Sequence, residues 1–216
     1  PLRWTRLPFA ALVIGSMSPD FIYFLQLGPY SGFGHTLVGV FLLDLPLGVA
    51  LYFFYQRRLR AFFLAMFPAF IQRRGRPHTP SSSPLAMELA RVVLAVLLGA
   101  GTHILWDTFT HTGAWGVEQV PLLGRQIQLF GRAVFVYKLA QHGSTLAGAG
   151  ALMLWSLHRL WRSRPDPERL VSPLSWRLKH LCALALLSPG AGLLSAYLQI
   201  QRRGGEVGLY GGVVLA

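Results

Sequence analysis

LAMELARVVLAVLLGAGTHILWDTFTH, residues 85–111, is an apolar segment that ends in three potential metal ligands. It is longer than the roughly 20 residues that a helix needs to cross a bilayer. His103, Asp107 and His111 recur at every fourth position. Four residues advance a helix by about 400°, so the three side chains lie along one slowly turning stripe. Because ionisable groups in an apolar helix are costly and are usually retained for a function, the segment predicts both a membrane span and a site.

The composition is typical of a membrane protein. Of the 216 residues, 53% are hydrophobic and only 13% are charged, against roughly 25% charged in an average soluble domain. We therefore predict an all-α fold, a polytopic transmembrane helix bundle of five to six spans, in which residues 1–216 form a single membrane-embedded domain. The formal charge of +12 comes from Lys and Arg between apolar segments. A nucleic-acid-binding domain would gather them on one soluble face, so we expect no nucleic-acid partner.

Apolar segments and basic loops alternate along the chain. We predict spans at about residues 7–27, 36–55, 85–110, 144–161 and 181–200, with a sixth beginning at residue 207. Residues 61–84 are expected to form a cytoplasmic interfacial helix and a linker, because the apolar part is too short to span and is bracketed by arginines. Residues 112–137 are mixed in composition and predict a non-cytoplasmic lid or re-entrant loop.

The positions of Lys and Arg predict the orientation of the bundle. If the N-terminus is cytoplasmic, the outward-facing members of the 20 basic residues are Arg125, Arg132, Lys138, Arg202 and Arg203. The excess on the inner side agrees with the tendency of cytoplasmic loops to accumulate Lys and Arg. We therefore expect the N-terminus to lie in the cytoplasm.

This topology brings candidate ligands from separate spans to one depth near the outer face. They are Asp20, His35, His103, Asp107, His111 and His142. Imidazole and carboxylate without thiolate suit zinc, iron, nickel or manganese, and we take zinc as the leading candidate, with iron or manganese as alternatives. A bound divalent cation would also offset the cost of burying carboxylates near hydrocarbon. One metal with supporting groups and two metals are both compatible with the sequence.

Several of these residues also have simpler interpretations. His111 or His142 alone could be an interfacial residue, and Asp20, which follows Pro19, could cap a helix. His35 could only mark a helix start. In the second span, Asp44 is predicted to form a buried ion pair with Arg91, and a proton or ion relay is the alternative.

Four motifs occur in order along the chain and together resemble a known family. They are GSMSPD (15–20), GHTL (34–37) leading into DLPLG (44–48), THILWDTFTH (102–111) and YKLAQHGS (137–144). The resemblance covers about residues 7–150 and is to an uncharacterised family of bacterial multi-pass membrane proteins. That family is similar to the LexA-regulated inner-membrane metal-dependent hydrolases. The resemblance implies a bacterial inner (cytoplasmic) membrane protein with metal-dependent hydrolytic activity, in which Asp20, His35, His103 and Asp107 occupy the matching positions.

The chain departs from this family at its start. The family usually opens with a short polar segment that contains a histidine, and this sequence begins after that point. It also ends within an apolar stretch, residues 207–216. We therefore expect sequence, including a ligand, to be missing from the ends.

The function predicted from these observations is that of an integral membrane metal-dependent hydrolase, with its site at the non-cytoplasmic face. Asp20, His35, His103 and Asp107 are the predicted metal ligands, and His111 and His142 are the predicted catalytic acid/base residues. Because the site lies at headgroup depth, the expected partners are the lipid bilayer and a lipid or lipid-linked ester or phosphoester substrate. A cation-binding transport protein and a non-catalytic membrane scaffold with a structural metal are the alternatives.

Overall fold

The computed structural model describes residues 7–26, 32–75 and 83–202, and the chain in these ranges is mostly helical. The helices are α1 (Phe9–Met17), α2 (Phe21–Gln26), α3 (Leu37–Gly39), α4 (Leu45–Phe54), α5 (Arg60–Met66), α6 (Ala69–Gln72), α7 (Leu85–Thr110), α8 (Trp115–Gln119), α9 (Val136–Arg162) and α10 (Leu174–Arg202). Short 3₁₀ turns cover Ser18–Asp20 and Gly32–His35. Two strands, β1 (Gln126–Leu129) and β2 (Arg132–Phe135), form an antiparallel hairpin in which Gln126 lies opposite Phe135.

The first apolar segment breaks at Ser18 because of the proline that follows. Pro19 has no backbone N–H, so the carbonyl of Gly15 loses the donor that a regular helix would supply four residues later. That carbonyl accepts hydrogen bonds from the Ser18 backbone N–H and from the Ser18 hydroxyl, the latter at 2.8 Å. The chain then tightens into the 3₁₀ turn Ser18–Asp20 before α2 begins. Asp20 therefore lies at the end of a tight turn and not inside a regular helix.

The second apolar segment forms one continuous helix, Leu37–Met66, that includes α3, α4 and α5. Two π-helical turns, Val40–Asp44 and Tyr55–Leu59, interrupt its regular hydrogen bonding. Thr36 caps its start, since the Thr36 side chain accepts a hydrogen bond from the Gly39 N–H at 3.0 Å. The arginines at residues 57–60, which follow the predicted second span, lie inside this helix. The helix ends just before Pro68, whose predecessor is extended.

Close packing of α1, α4 and α7 forms the buried core. Its buried members are Ala11, Tyr52, Val92, Ala95 and Val96. Gly15 lies against the backbone of Val96, and Gly99 lies against the backbone of Leu12 and Ser16, so that a Cβ at either glycine would overlap the neighbouring helix. The absence of side chains at these two positions allows α1 and α7 to approach at backbone distance.

Two helices of the described chain, Leu37–Met66 and Leu85–Thr110, are long and apolar enough to cross a membrane. The prediction of five to six spans is therefore not supported. α9 contains the predicted fourth span, but it is amphipathic and its hydropathy is low. The polar residues responsible are Lys138, Gln141, His142, His158 and Arg159. The predicted fifth span falls within α10. The predicted sixth lies outside the described residues.

The two long apolar helices are exposed over most of their surface. Only 28% of the apolar window of each is buried, whereas a core helix of a soluble protein would be mostly buried. Large apolar side chains project from them, including Leu37 (80% exposed), Leu42 (70%) and Leu105 (58%). This is the exposure expected of helices that face lipid.

The two ends of the bundle differ in chemistry. Backbone and side-chain contacts at one end join α6 to the segment before α10: Arg169 donates to the Gln72 carbonyl at 3.0 Å, and the Ser172 N–H donates to Gln72 Oε1 at 2.9 Å. This end carries the arginines of residues 57–75 and 159–177. At the other end are α8, the hairpin and the acid–imidazole cluster described next.

Candidate metal centre

Three separate parts of the chain supply the cluster. Asp20 comes from the 3₁₀ turn after α1, His35 from the turn before the helix Leu37–Met66, and His103 and Asp107 from successive turns of α7. Gly34 brings the first two together, because its Cα lies so close to the Pro19 carbonyl that a Cβ there would overlap it. The predicted convergence of residues distant in sequence is present for these four side chains.

The distances within the cluster match those between ligands of one metal ion. Ligand atoms about 2.0–2.1 Å from a tetrahedral ion lie roughly 3.3 Å from one another. His35 Nε2 and His103 Nε2 each lie 3.2 Å from Asp107 Oδ2. They lie 3.6 and 3.7 Å from the two oxygens of Asp20. Asp20, His35 and His103 can each offer one ligand atom with all three atoms within 4.8 Å.

The imidazole nitrogens of the cluster carry a further signature of metal ligation. The Nε2 atoms of both histidines point to the same carboxylate oxygen, so the two rings share one focus. His35 Nε2 is hydrogen-bonded to Asp107, and His103 Nε2 lies at the same distance of 3.2 Å from that carboxylate oxygen. Asp20, His35 and His103 could hold a divalent cation together, and the Asp107 carboxylate lies beside both imidazoles, so the donor set fits such an ion.

The opposite sides of the two rings are held differently. The backbone of Ser16, near the end of α1, hydrogen-bonds to the His103 ring. The His35 ring stacks on Tyr23 with ring centroids 6.1 Å apart, and it contacts the His103 ring at 5.5 Å. His35 Nδ1 is buried and has no hydrogen-bond partner in the described ranges. On these sides the His103 ring is therefore held by backbone, and the His35 ring is held by stacking on Tyr23 without a hydrogen bond to Nδ1.

His111 extends the cluster outward. Its Nδ1 lies 3.5 Å from Asp107 Oδ1 and 3.3 Å from the Thr110 hydroxyl. Its Nε2 lies 3.5 Å from the side-chain nitrogen of Gln141, whose oxygen accepts a hydrogen bond from Lys138 at 2.9 Å. The side chain of His111 is 48% exposed, compared with 19% for His103. His111 is thus placed between the cluster and the solvent-accessible space.

An open cavity of about 1060 Å³ gives access to these residues. One side carries the cluster, and the other is formed by uncharged polar residues of α9. The lining residues are Asp20, Tyr23, His35, His103, Ile104, Trp106, Asp107, Thr108, Thr110, His111, Ala114, Gln141, Ser144 and Thr145. Trp106 Nε1 donates to the Ser144 hydroxyl at 3.1 Å, which joins α7 to α9 at the cavity edge.

His142, the other predicted catalytic residue, is exposed on α9 and is not among the residues that line this cavity. Its neighbour Gln141 takes the position facing His111. The sequence motif that contains both residues predicted a contribution from this part of α9. His142 was predicted and Gln141 was not, because the rotational position of α9 depends on its packing against α7.

Asp44 is fully buried, and both of its carboxylate oxygens have no hydrogen-bond partner among the described residues. The predicted ion pair with Arg91 is therefore wrong. Arg91 donates to the Ser83 hydroxyl at 3.3 Å and to Met87 Sδ at 3.1 Å, close to the basic end of α7. The charged groups within electrostatic reach of Asp44 are instead His35, His103 and Asp20.

Comparison with known proteins places the chain in a family without giving its activity. The chain belongs to the family described as a domain of unknown function (DUF4184), whose profile matches residues 1–208. No curated protein and no solved structure was found to match it.

Proposed function

We propose that this member of the DUF4184 family is an integral membrane, metal-dependent hydrolase. The observation that carries the proposal is the convergence of two imidazole Nε2 atoms and two carboxylates from three parts of the chain, with each Nε2 atom 3.2 to 3.7 Å from an oxygen of each carboxylate. Such spacing is that of ligands about a single ion. The similarity of the motifs to the LexA-regulated inner-membrane hydrolases supports the same assignment, as an analogy.

Zinc is the metal that the donor set favours, with iron or manganese as alternatives. Two imidazoles and two carboxylates form a mixed nitrogen and oxygen shell without thiolate, which these ions accept. Structural zinc sites are usually enclosed and fully coordinated by protein, whereas catalytic sites retain an accessible position. The Asp20 side chain is 41% exposed and lines an open cavity. This access favours a catalytic role for the metal over a structural one.

In this proposal Asp20, His35, His103 and Asp107 hold the cation, and His111 transfers protons at the cavity wall. The ion would supply Lewis acidity, making water more acidic and stabilising negative charge as it develops. The oxygen of water adds to the carbonyl carbon or phosphorus of the substrate while its proton passes to His111. The bond to the alcohol oxygen then breaks, and the alcohol leaves with that proton.

The proposed setting is a bacterial inner membrane, with the site at the non-cytoplasmic face. The exposed apolar surfaces of Leu37–Met66 and Leu85–Thr110 support burial in lipid. The concentration of arginine at the end opposite to the cluster supports a cytoplasmic position for that end. A site at the outer interface would meet lipid or lipid-linked esters and phosphoesters.

Metal analysis of purified protein tests the assignment. We expect close to one equivalent of zinc, iron or manganese per chain, and we expect His103→Ala combined with Asp107→Ala to remove it. His158→Ala is the matched control, because His158 lies on the same bundle but on α9 near its basic end. Metal retained by the double variant would refute the site. A metal-loaded protein that hydrolyses neither chromogenic carboxylic esters nor phosphodiesters would refute the reaction.

Cation transport is the second candidate, and Asp44 is the observation that favours it. This buried carboxylate lies within electrostatic reach of His35 and His103 and could continue a cation path inward. Uptake of Mn²⁺ into liposomes that contain the protein, without ester hydrolysis, would support transport over catalysis.

A further inference from the structure

Two buried polar groups near the cluster, the Asp44 carboxylate and His35 Nδ1, have no hydrogen-bond partner among the described residues. Asp44 is 0% exposed and neither of its oxygens has a hydrogen-bond partner in the described ranges. His35 Nδ1, on the side of the ring away from Asp107, is likewise buried and unpaired there. An unpaired carboxylate inside a protein is costly, and its retention calls for a specific role.

These two groups are complementary, because a carboxylate accepts hydrogen bonds and a protonated ring nitrogen donates one. When His35 Nε2 binds a cation, the proton of the neutral ring resides on Nδ1, which must then donate a hydrogen bond. Ligating histidines usually donate this second N–H to a carboxylate, a backbone carbonyl or water. Asp44 is a carboxylate acceptor, and His35 is among the charged groups close enough to act on it.

The competing partners for Asp44 can be compared. His103 also lies within its electrostatic reach, but the backbone of Ser16 already hydrogen-bonds to that ring. Asp20 is an acid and cannot offset the charge of Asp44. Arg91 donates to Ser83 and Met87 near the other end of α7. Among the charged groups near Asp44, His35 is therefore the one with an unused donor.

The local backbone places Asp44 where this role is feasible. The π-helical turn Val40–Asp44 puts an extra residue into one turn of the helix, which rotates the face on which Asp44 projects. The turn lies next to Ser18–Asp20 and Gly32–His35 in space. Since the carboxylate and Nδ1 make no direct hydrogen bond, water is the natural bridge, because it can both accept from the ring and donate to the carboxylate.

We propose that Asp44 is a positioning residue of the metal centre, acting through bridging water to orient His35 and to balance the charge of the bound cation. This inference rests on the proposed metal site and extends it beyond the residues that touch the ion. It predicts that a residue outside the cavity controls metal affinity.

Metal titration of Asp44→Asn tests the inference. Zn²⁺ is titrated into chelator-stripped, detergent-solubilised protein in competition with a chromogenic chelator. We expect about tenfold to hundredfold weaker Zn²⁺ binding with an unchanged stoichiometry, the usual effect of removing such a supporting group. Asp44→Glu should recover part of the affinity. Val40→Ala, a buried change at the other end of the same turn, should leave the affinity within about twofold of the original.

Thermal unfolding separates a positioning role from a purely structural one. Without metal, Asp44→Asn should be at least as stable as the original protein, because it removes an uncompensated buried carboxylate. With Zn²⁺, its gain in Tm should be smaller than that of the original protein. An unchanged Zn²⁺ affinity, or equal destabilisation with and without metal, would overturn the role of Asp44 alone. Failure of the unsubstituted protein to bind Zn²⁺, Fe²⁺ or Mn²⁺ would overturn the metal site itself.

Discussion

At the scale of single residues, Pro19 and Gly34 determine whether the cluster can assemble. Pro19 ends the regular hydrogen bonding of α1 and leaves Asp20 in a 3₁₀ turn. Gly34 packs against the Pro19 carbonyl. This contact brings Nε2 of the next residue, His35, to 3.6 Å from Asp20 Oδ1. The ligand types and their clustering could be predicted from the sequence. The contact of Gly34 with Pro19 could not, because a contact between two separate turns leaves no periodic pattern in the sequence.

Gly34→Ala tests this contact, with Gly32→Ala as its matched control. The added methyl group at residue 34 overlaps the Pro19 carbonyl, so the two turns must separate and His35 must move away from Asp20. A Cβ at Gly32 meets nothing within 4 Å among the described residues. We expect Gly34→Ala to weaken Zn²⁺ binding by at least about tenfold. Equal affinities of the two variants in the chelator competition assay would show that the contact does not position the ligands.

At the scale of elements, the approach of α1 to α7 links core packing to the site. Gly99 permits the contact, and the backbone of Ser16 that lies against it also hydrogen-bonds to the His103 ring one turn further along α7. The length of the apolar run was sufficient to predict α7, whose observed bounds equal those of the predicted third span. The length of the apolar run did not predict the end of the second helix, which continues through the arginines at residues 57–60 to Met66.

Gly99→Ala should affect both stability and metal binding, whereas Gly101→Ala should affect neither. At residue 99 the new Cβ would lie 2.6 Å from the Ser16 backbone nitrogen, so α1 must shift away from α7. Overpacking of this kind costs about 1–3 kcal/mol of unfolding free energy. The shift also removes the backbone partner of His103. Denaturation of the metal-free protein measures the change in stability, and Zn²⁺ titration measures the change in metal affinity. A Gly99→Ala variant with lowered stability but normal Zn²⁺ affinity would show that the packing of α1 against α7 does not control metal binding.

At the scale of the whole molecule, the alternating direction of the helices places the arginines and the acid–imidazole cluster at different ends. The helix Leu37–Met66 runs from His35 towards the arginines, α7 returns from Arg91 to Asp107, and α9 runs from Gln141 to Arg162. The arginine-rich end and the cluster therefore lie at opposite ends of the bundle. The sequence predicted this polarity from the order of basic loops. It overestimated the number of spans because apolar residues on one face of α9 resemble a span until its polar face is counted.

Cysteine labelling tests the proposed orientation in the membrane. Cys182, the single native cysteine, is first replaced by Ala. A new cysteine at Ala133, exposed in β2 on the cluster side, should react with a membrane-impermeant thiol reagent in intact cells. A cysteine at Leu170, which is 95% exposed at the arginine-rich end, should react only after permeabilisation. The reverse pattern would place the cavity in the cytoplasm. The proposed substrate would then have to be available there, since the cavity opens on the side of the bundle that carries Asp20 and His111.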